Sequence, residues 1–240
     1  GTAAFHQTFA DSHDLKVLLG VSRETMGQRY YSASRQSLPY PDYPVLSVGA
    51  EDETMANAGT RSEWALQSFF GRVNYNYRER YLIEGNIRFD GSSRFARGKQ
   101  WGIFPSVSAG WRISEEPWME NIRKTLTELK LRGSYGQLGN QNISSSNYPF
   151  AEQLAMDVYS VNGVLVPIAY RNTLANEDIT WETSEMFDVG FDAALWNKLT
   201  LTADFYVKNT HGILMTLNIP LSAGLNAPYQ NAGEVRNIGW

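Results

Sequence analysis

Two neighbouring stretches of the chain carry closely spaced charged and amide side chains, and these residue types could bind a polar substrate. Arginine and carboxylate groups form charge-assisted hydrogen bonds, and amides both donate and accept them. Tyrosines in irregular stretches add aromatic faces on which sugars pack. The candidate binding residues are Arg72, Asn74, Asn76, Glu84, Asn86, Arg88, Tyr40, Tyr43 and Tyr148. For the first six, solvated side chains that pair across strands are the simpler interpretation, each pair contributing on the order of 0.2–1 kcal/mol.

No residue set has the spacing of a catalytic or metal centre. His6, His13 and His211 are far apart in the sequence, which does not match the spacing of metal ligands. The stretch 90–94 lacks the acidic ligands of a calcium hand and the lysine of a phosphate loop, and a tight turn explains its Asp-Gly pair. The carboxylates are too dispersed for a glycosidase pair, and there is no nucleophile elbow. We therefore expect no enzyme, no metal and no cofactor.

The polar candidates lie on stretches in which apolar and polar residues alternate, a pattern typical of strands with two different faces. Only Arg78–Arg80 separates the first two stretches, which predicts an antiparallel hairpin. A third stretch alternates from Trp101 to Ile113, longer than the usual strand of about 5–6 residues. Gly233–Trp240 resembles the start of a further strand, whose edge would be unpaired if the sheet stopped there. The other alternating stretches are 15–22, 129–136, 185–195 and 199–208.

Short and long connections between these stretches fall on alternate turns. The short ones are 11–14, 78–80 and 196–197, together with a segment from Ser114 that we predict as a short helix from the spacing of Trp118, Ile122 and Leu126. The long ones include 23–62, which shows no sustained periodicity, with strands resuming near Trp64, and a polar loop that reaches about Thr180. One tight rim and one elaborate rim are typical of outer-membrane barrels.

The composition agrees with a large all-β protein. Hydrophobic residues make up 42% of the 240 residues, the mean hydropathy is −0.37, and no apolar run approaches the roughly 20 residues of a spanning helix. A barrel is still allowed, because only every second residue of its strands meets lipid. Aromatic residues reach 13%, which suits interfacial girdles or a sugar-binding sandwich. Most of the following tryptophans we interpret as interfacial anchors or wall packing: Trp64, Trp101, Trp111, Trp118, Trp181 and Trp196.

Charge and cysteine content narrow the class further. The net charge of −4, without a block of lysine and arginine, argues against binding to nucleic acid. The absence of cysteine excludes disulfides and thiolate metal sites within this sequence. The sequence begins without Met or a leader, so we expect either a processed chain or an internal piece of a longer one.

A set of motifs, in order along nearly the whole chain, carries a family resemblance. They are Trp64–Tyr75, Arg88–Phe95, Trp101–Arg112, Leu129–Gln141, Thr180–Thr183 and Asn231–Asn237. Together they resemble the SusC/RagA-like TonB-dependent transporters of the outer membrane. The resemblance implies an antiparallel transmembrane β-barrel of about 22 strands, of which residues 1–240 form a partial barrel domain, with the plug domain and the rest of the barrel absent from the sequence.

The resemblance also implies a function and partners. Such transporters import oligosaccharides or peptides delivered by a SusD-like lipoprotein lid, and the TonB complex of the inner membrane energises them through parts absent here. The apolar face would then contact outer-membrane lipid, the six polar candidates would face substrate or plug, and the three tyrosines would meet a sugar or the lid.

The same patterns also fit a different class of protein: a soluble or surface-exposed β-rich module that binds glycans without transport. The two interpretations place the same apolar side chains differently. In a barrel they form one continuous outward band, whereas in a binding module they pack against a second sheet as a core. The residues that distinguish them are Val73, Tyr75, Ile83, Ile87, Val189, Phe191, Leu201 and Phe205.

Overall fold

A computed structural model describes residues 1–40, 42–142 and 146–240 and shows an all-β chain. One antiparallel sheet has nine strands in the order β1-β2-β3-β4-β5-β6-β9-β10-β11, and β7 and β8 form a separate hairpin. The strands are β1 Thr2–Phe9, β2 His13–Ser34, β3 Ala56–Tyr77, β4 Tyr81–Ser92, β5 Trp101–Arg112, β6 Leu126–Asn140, β7 Gln153–Val161, β8 Val164–Thr173, β9 Glu182–Leu195, β10 Leu199–Thr216 and β11 Tyr229–Gly239. Within the described residues, no helix is long and apolar enough to span a membrane.

The strand register places the apolar side chains on one face of the sheet. One row across the sheet runs Val73, Gly85, Val107, Tyr135, Phe187 and Val207, each residue opposite the next. Val73, Val107 and Phe187 are 45–50% exposed, so no part of the described chain covers this face there. Of the eight residues predicted to form the outward band, six are 43–54% exposed: Val73, Ile83, Ile87, Val189, Leu201 and Phe205. Tyr75 and Phe191 are partly buried, so none of the eight is packed in a core within the described chain.

Two groups of aromatic residues border the outward face. At the short-turn rim, Tyr77, Tyr81 and Trp111 stack in sequence with ring centroids 6.2 and 6.3 Å apart. Near the other rim, Trp101 stacks between Phe69 and Phe89, at 6.1 and 4.6 Å. Phe69 and Tyr77 lie on one strand, about 27 Å apart at 3.4 Å per residue and about 21 Å along the membrane normal at a tilt of 40°. This spacing fits the apolar band of a transmembrane barrel.

The tight rim is built from three-residue connections, 10–12, 78–80 and 196–198, whose first two residues have left-handed backbone. Residues 10–11, 78–79 and 196–197 all have φ between 48° and 54°, the conformation of type I′ turns, whose twist matches that of the flanking strands. None of these residues is glycine, and the left-handed region costs other residues roughly 1–2 kcal/mol each. The predicted short connections are therefore present, and each carries a conformational cost.

Ala10 tests this cost. We expect Ala10→Gly to raise the free energy of unfolding of the full-length protein by about 0.5–1 kcal/mol, because relief of the left-handed strain exceeds the added chain entropy. Ala33, which is exposed and lies in the extended β2, is the matched control, and Ala33→Gly should lower stability by a similar amount. Denaturant titrations of both variants in lipid vesicles give the comparison. A loss of stability in Ala10→Gly would contradict the turn assignment.

Three predictions about connections were wrong. The long excursion over 23–62 is shorter, because β2 continues to Ser34 and β3 begins at Ala56, paired residue by residue. In these added parts of β2 and β3, neither face of the strand is buried, so the sequence shows no alternation of apolar and polar residues. Only the backbone pairing in the structure identifies these parts as strands. The loop toward Thr180 contains the β7–β8 hairpin, which turns at Asn162 and Gly163 with φ 51° and 82°.

The third wrong prediction is the helix that begins at Ser114. Two 3-10 turns, Ile113–Glu115 and Pro117–Met119, occupy the segment between β5 and β6. Glu116 between them is extended, with φ −74° and ψ 143°. The residue before a proline is disfavoured in helical conformation, so Pro117 divides what the apolar spacing suggested was one helix.

Candidate functional site

Four of the predicted binding residues form one hydrogen-bonded network on the face opposite the apolar band. Arg72 Nε donates to Asn86 Oδ1 at 2.7 Å, and Asn86 Nδ2 donates to Glu84 Oε1 at 2.8 Å. Asn74 Nδ2 donates to the other oxygen of Glu84. The cross-strand register of β3 and β4 creates these contacts, since Arg72 lies opposite Asn86 and Asn74 opposite Glu84. The four side chains therefore satisfy one another along a wall.

The remaining two polar candidates lie on the same face. Arg88 is 3.0 Å from Asp90 Oδ1, donates to Ser68 Oγ at 3.4 Å, and its guanidinium lies 5.7 Å from the centre of the Phe70 ring. The Oδ1 atom of Asn76 is buried without a hydrogen-bond partner in the part of the chain that the structure describes. A contact with substrate stays a prediction for all six.

The three tyrosines are not brought together with these residues. Tyr40 and Tyr43 are 67% and 72% exposed in the connection between β2 and β3. Tyr148 donates its hydroxyl to the backbone oxygen of Glu63 at 2.9 Å, which ties the β6–β9 connection to β3. All three lie on connections of the long-loop rim, and their role as sugar or lid contacts remains a prediction.

A second cluster on the polar face was missed from the sequence. Arg132 on β6 meets Asp204 on β10 through two contacts, Nη1–Oδ1 at 2.6 Å and Nη2–Oδ2 at 2.7 Å. The guanidinium also lies 3.2 Å from Asp192 and 3.6 Å from Asp188. It crosses the intervening strand at Gly190, where a Cβ atom would lie 2.2 Å from Asp204 Oδ1. One arginine thus binds three carboxylates and leaves the cluster with a net negative charge.

Both polar groups border one shallow concavity. Its volume is about 580 Å³, and Asn74, Glu84, Lys130, Arg132 and Asp188 are among the residues that line it. Amide groups and partly exposed groups of positive and negative charge can form hydrogen bonds with a hydroxylated or peptide substrate. Among the described residues, no group of three or more histidines and carboxylates is placed to hold a metal ion.

The Arg132 cluster gives a stability prediction. We expect Arg132→Gln to lower the free energy of unfolding of the full-length protein by on the order of 1 kcal/mol, since the cluster is partly exposed and screened by water. Lys208 is the control, because it takes part in no ion pair in the described ranges, and Lys208→Gln should change stability little. Denaturant titrations at low and high salt compare the two. Equal effects would show that the cluster contributes nothing.

At the long-loop rim, connections fold inward around a small apolar core. Phe95, Phe104, Ile179 and Trp181 are buried together. The Trp181 ring lies 5.0 Å from that of Phe95 and 5.3 Å from that of Phe104, and its Nε1 donates to the backbone oxygen of Gln100 at 3.0 Å. Trp181 is thus internal packing and not an interfacial anchor. The four residues come from distant parts of the sequence, so no local pattern signals this core.

Arg94 fastens the same rim. It is 8% exposed, donates to Asn142 Oδ1 at 3.0 Å and to the backbone oxygen of Gln141 at 3.2 Å, and lies 5.2 Å from the centre of the Trp64 ring. Burial lowers the pKa of its guanidinium below the usual value, although arginine stays charged in proteins. The 90–94 stretch, interpreted from sequence as a tight turn, therefore also supplies a buried side chain that joins the β4–β5 connection to the β6–β9 connection and to Trp64 of β3.

At the opposite rim, the buried carboxylate of Glu116 holds the polar ends of two girdle aromatics. It accepts hydrogen bonds from the Tyr81 hydroxyl at 2.6 Å and from Trp111 Nε1 at 3.0 Å, both on Oε1, and Arg80 Nη1 lies 3.6 Å from Oε2. The hydrogen bond from Tyr81, then that from Trp111, and the charge of Arg80 lower the pKa of Glu116 below its usual value.

Glu116 therefore gives a pH prediction. Because its pKa is lower in the folded protein, its stabilising contribution is complete above the unfolded value of about 4.3 and is lost as the pH falls through the folded value. We expect the stability of the full-length protein to fall less between pH 7 and pH 3 in Glu116→Gln than in the wild type. Thermal unfolding at both pH values measures this difference. Glu120→Gln, in an exposed position nearby, is the control and should behave like the wild type.

The two-faced sheet, its aromatic borders and its unequal rims define a class of protein, the wall of an outer-membrane β-barrel. A family model described as "TonB dependent receptor-like, beta-barrel" matches residues 2–240, and the chain belongs to this family. The family and the outer-membrane location predicted from the motifs are confirmed.

Relatives and solved structures agree with this assignment. The chain is 37% identical over 180 residues to TonB-dependent receptor P26 of Formosa agariphila, covering 75% of this chain and 18% of that protein. It is 35% identical over 238 residues to TonB-dependent receptor SusC of Bacteroides thetaiotaomicron, covering 95% and 22%. The RagAB peptide transporter structure matches with a TM-score of 0.87 at 28% identity, covering 99% of this chain and 26% of that one. The chain thus spans about a quarter or less of the proteins it resembles.

Proposed function

We propose that residues 1–240 are part of the barrel domain of a nutrient importer that takes up oligosaccharides or peptides across the outer membrane. One observation carries the proposal: a single sheet exposes an apolar band on one face and paired charges and amides on the other. Such a sheet suits a wall between lipid and an aqueous passage. The proposed role is passage of substrate and not catalysis.

We further propose that the importer works with a SusD-like lipoprotein and is energised by the TonB complex. Support comes from the relative named SusC and from the structure titled as the RagAB peptide transporter. The elaborate rim offers exposed groups to such a partner, including Tyr40 and Tyr43. Substrate would then pass the polar face, where Arg72, Glu84 and Arg132 are positioned to exchange hydrogen bonds with it.

Uptake by cells tests this proposal. A strain that lacks the full-length gene is complemented with wild type or with a Tyr40→Ala, Tyr43→Ala double variant, and fluorescent oligosaccharides and peptides are offered in parallel. We expect uptake of one substrate class that requires both the gene and TonB, with reduced uptake in the double variant at equal surface expression. Tyr135→Ala is the control, because Tyr135 lies opposite Val107 on the outward face, away from both the elaborate rim and the polar face. Full-length protein that is soluble without detergent and imports neither class would contradict the proposal.

A further inference from the structure

The segment between β5 and β6, residues 113–125, lies on the lipid side of the sheet. Its Glu116 carboxylate accepts hydrogen bonds from Tyr81 and Trp111, and both aromatics belong to the outward face, opposite one another in the β4–β5 register. Ile113 and Met119 are buried, as is Ala193 of the outward face of β9. The segment therefore folds onto the lower end of the apolar band and not toward the passage.

The segment nevertheless leaves two large apolar side chains uncovered. Trp118 is 62% exposed and Ile122 is 50% exposed. Backbone hydrogen bonds hold this turn in place, from Ile122 N to Met119 O at 2.9 Å and from Leu126 N to Ile122 O at 2.9 Å. The buried Ile113 and Met119 thus hold the segment against the sheet, and Trp118 and Ile122 are left exposed.

Two cations follow these apolar residues. Arg123 donates to the backbone oxygen of Ser114 at 2.5 Å and lies 3.5 Å from Glu115. Lys124 is exposed and takes part in no ion pair within the described ranges of the chain. An exposed tryptophan and an exposed lysine thus belong to one short segment at the end of the apolar band, and these are residue types that prefer the level of the lipid headgroups.

We propose that residues 113–125 form a membrane-interface anchor, with Trp118 and Ile122 inserted among the phospholipids of the periplasmic leaflet and Lys124 meeting their phosphates. Glu116 joins the segment to Tyr81 and Trp111 at the end of the lipid-facing band, and short turns lie on the periplasmic side in barrels of this class. Continuity with the lipid face favours phospholipid over another protein domain as the occupant. The inference rests on the proposed function only in requiring that the barrel spans the membrane.

Spin-label accessibility tests the anchor. The full-length protein, freed of any native cysteine, carries a single label at Ile122→Cys, Val107→Cys or Glu79→Cys and is reconstituted in nanodiscs of phosphatidylethanolamine and phosphatidylglycerol. Collision with oxygen reports lipid exposure, and collision with a water-soluble nickel complex reports water exposure. We expect the oxygen-to-nickel ratio at Ile122 to be several-fold above that at Glu79, in the exposed turn, and below that at Val107, in the middle of the band.

The outcomes separate the two claims. A ratio at Ile122 equal to that at Glu79 overturns the anchor, because the segment then lies in water. A label that reaches neither reagent also overturns it, because another part of the protein then covers the surface. If the Val107 label itself collides mainly with nickel, the membrane-spanning wall fails and the anchor fails with it. As a second measurement, Lys124→Gln in the Ile122-labelled protein should lower the ratio, whereas Lys16→Gln on the polar face should not.

Discussion

Val107→Arg is expected to lower the free energy of unfolding of the full-length protein by about 2–4 kcal/mol, because it places a charge at the middle of the lipid-facing band. Val107 is 50% exposed on that face and lies opposite Gly85 and Tyr135. Water cannot solvate the guanidinium there without a local defect in the bilayer. Denaturant titration of protein refolded into lipid vesicles measures the loss.

The neighbouring residue supplies a matched control. Ser108 is adjacent on the same strand, so its side chain points to the opposite face, where it lines the concavity with Glu84 and Asp188. Ser108→Arg should therefore change stability by less than about 1 kcal/mol. If the two arginines cost the same, the apolar face does not meet lipid and the barrel assignment fails.

Gly139→Ala is expected to destabilise the long-loop rim by about 1–3 kcal/mol through overpacking. A Cβ atom at Gly139 would lie 2.0 Å from Cζ of Phe104, whose ring also approaches Gly102. Because Phe104 packs edge-on against Trp181, the ring cannot move without opening the small core. Thermal unfolding of the full-length protein, followed by tryptophan fluorescence, gives the change.

Two further variants locate the effect. Gly85 is also a strand glycine, but a Cβ atom there would meet nothing within 4 Å, so Gly85→Ala should leave stability equal or slightly higher. Combining Gly139→Ala with Phe104→Leu should recover part of the lost stability, since the smaller leucine side chain leaves room for the added methyl group. Additive losses in the double variant would contradict the clash.

Much of the architecture could be predicted from residue order because a strand repeats every two residues. The alternation around Val73 and Ile83 predicted the faces, the hairpin and the outward band, and the motifs predicted the family. A strand that faces lipid needs an apolar residue at every second position, so the sequence of each strand by itself shows which face is apolar. Where a strand has no buried face, as beyond Val21 in β2, this signal disappears and the strand was missed.

The contacts between distant strands could not be predicted in the same way. The partners Arg132 and Asp204 are separated by 72 residues, and their bridge depends on Gly190 lying in register between them. Likewise, Phe95, Phe104 and Trp181 come together only after two connections have folded inward. Periodicity determines which face a side chain occupies, whereas strand register and loop path determine which side chain it meets, because those depend on the packing of the whole sheet.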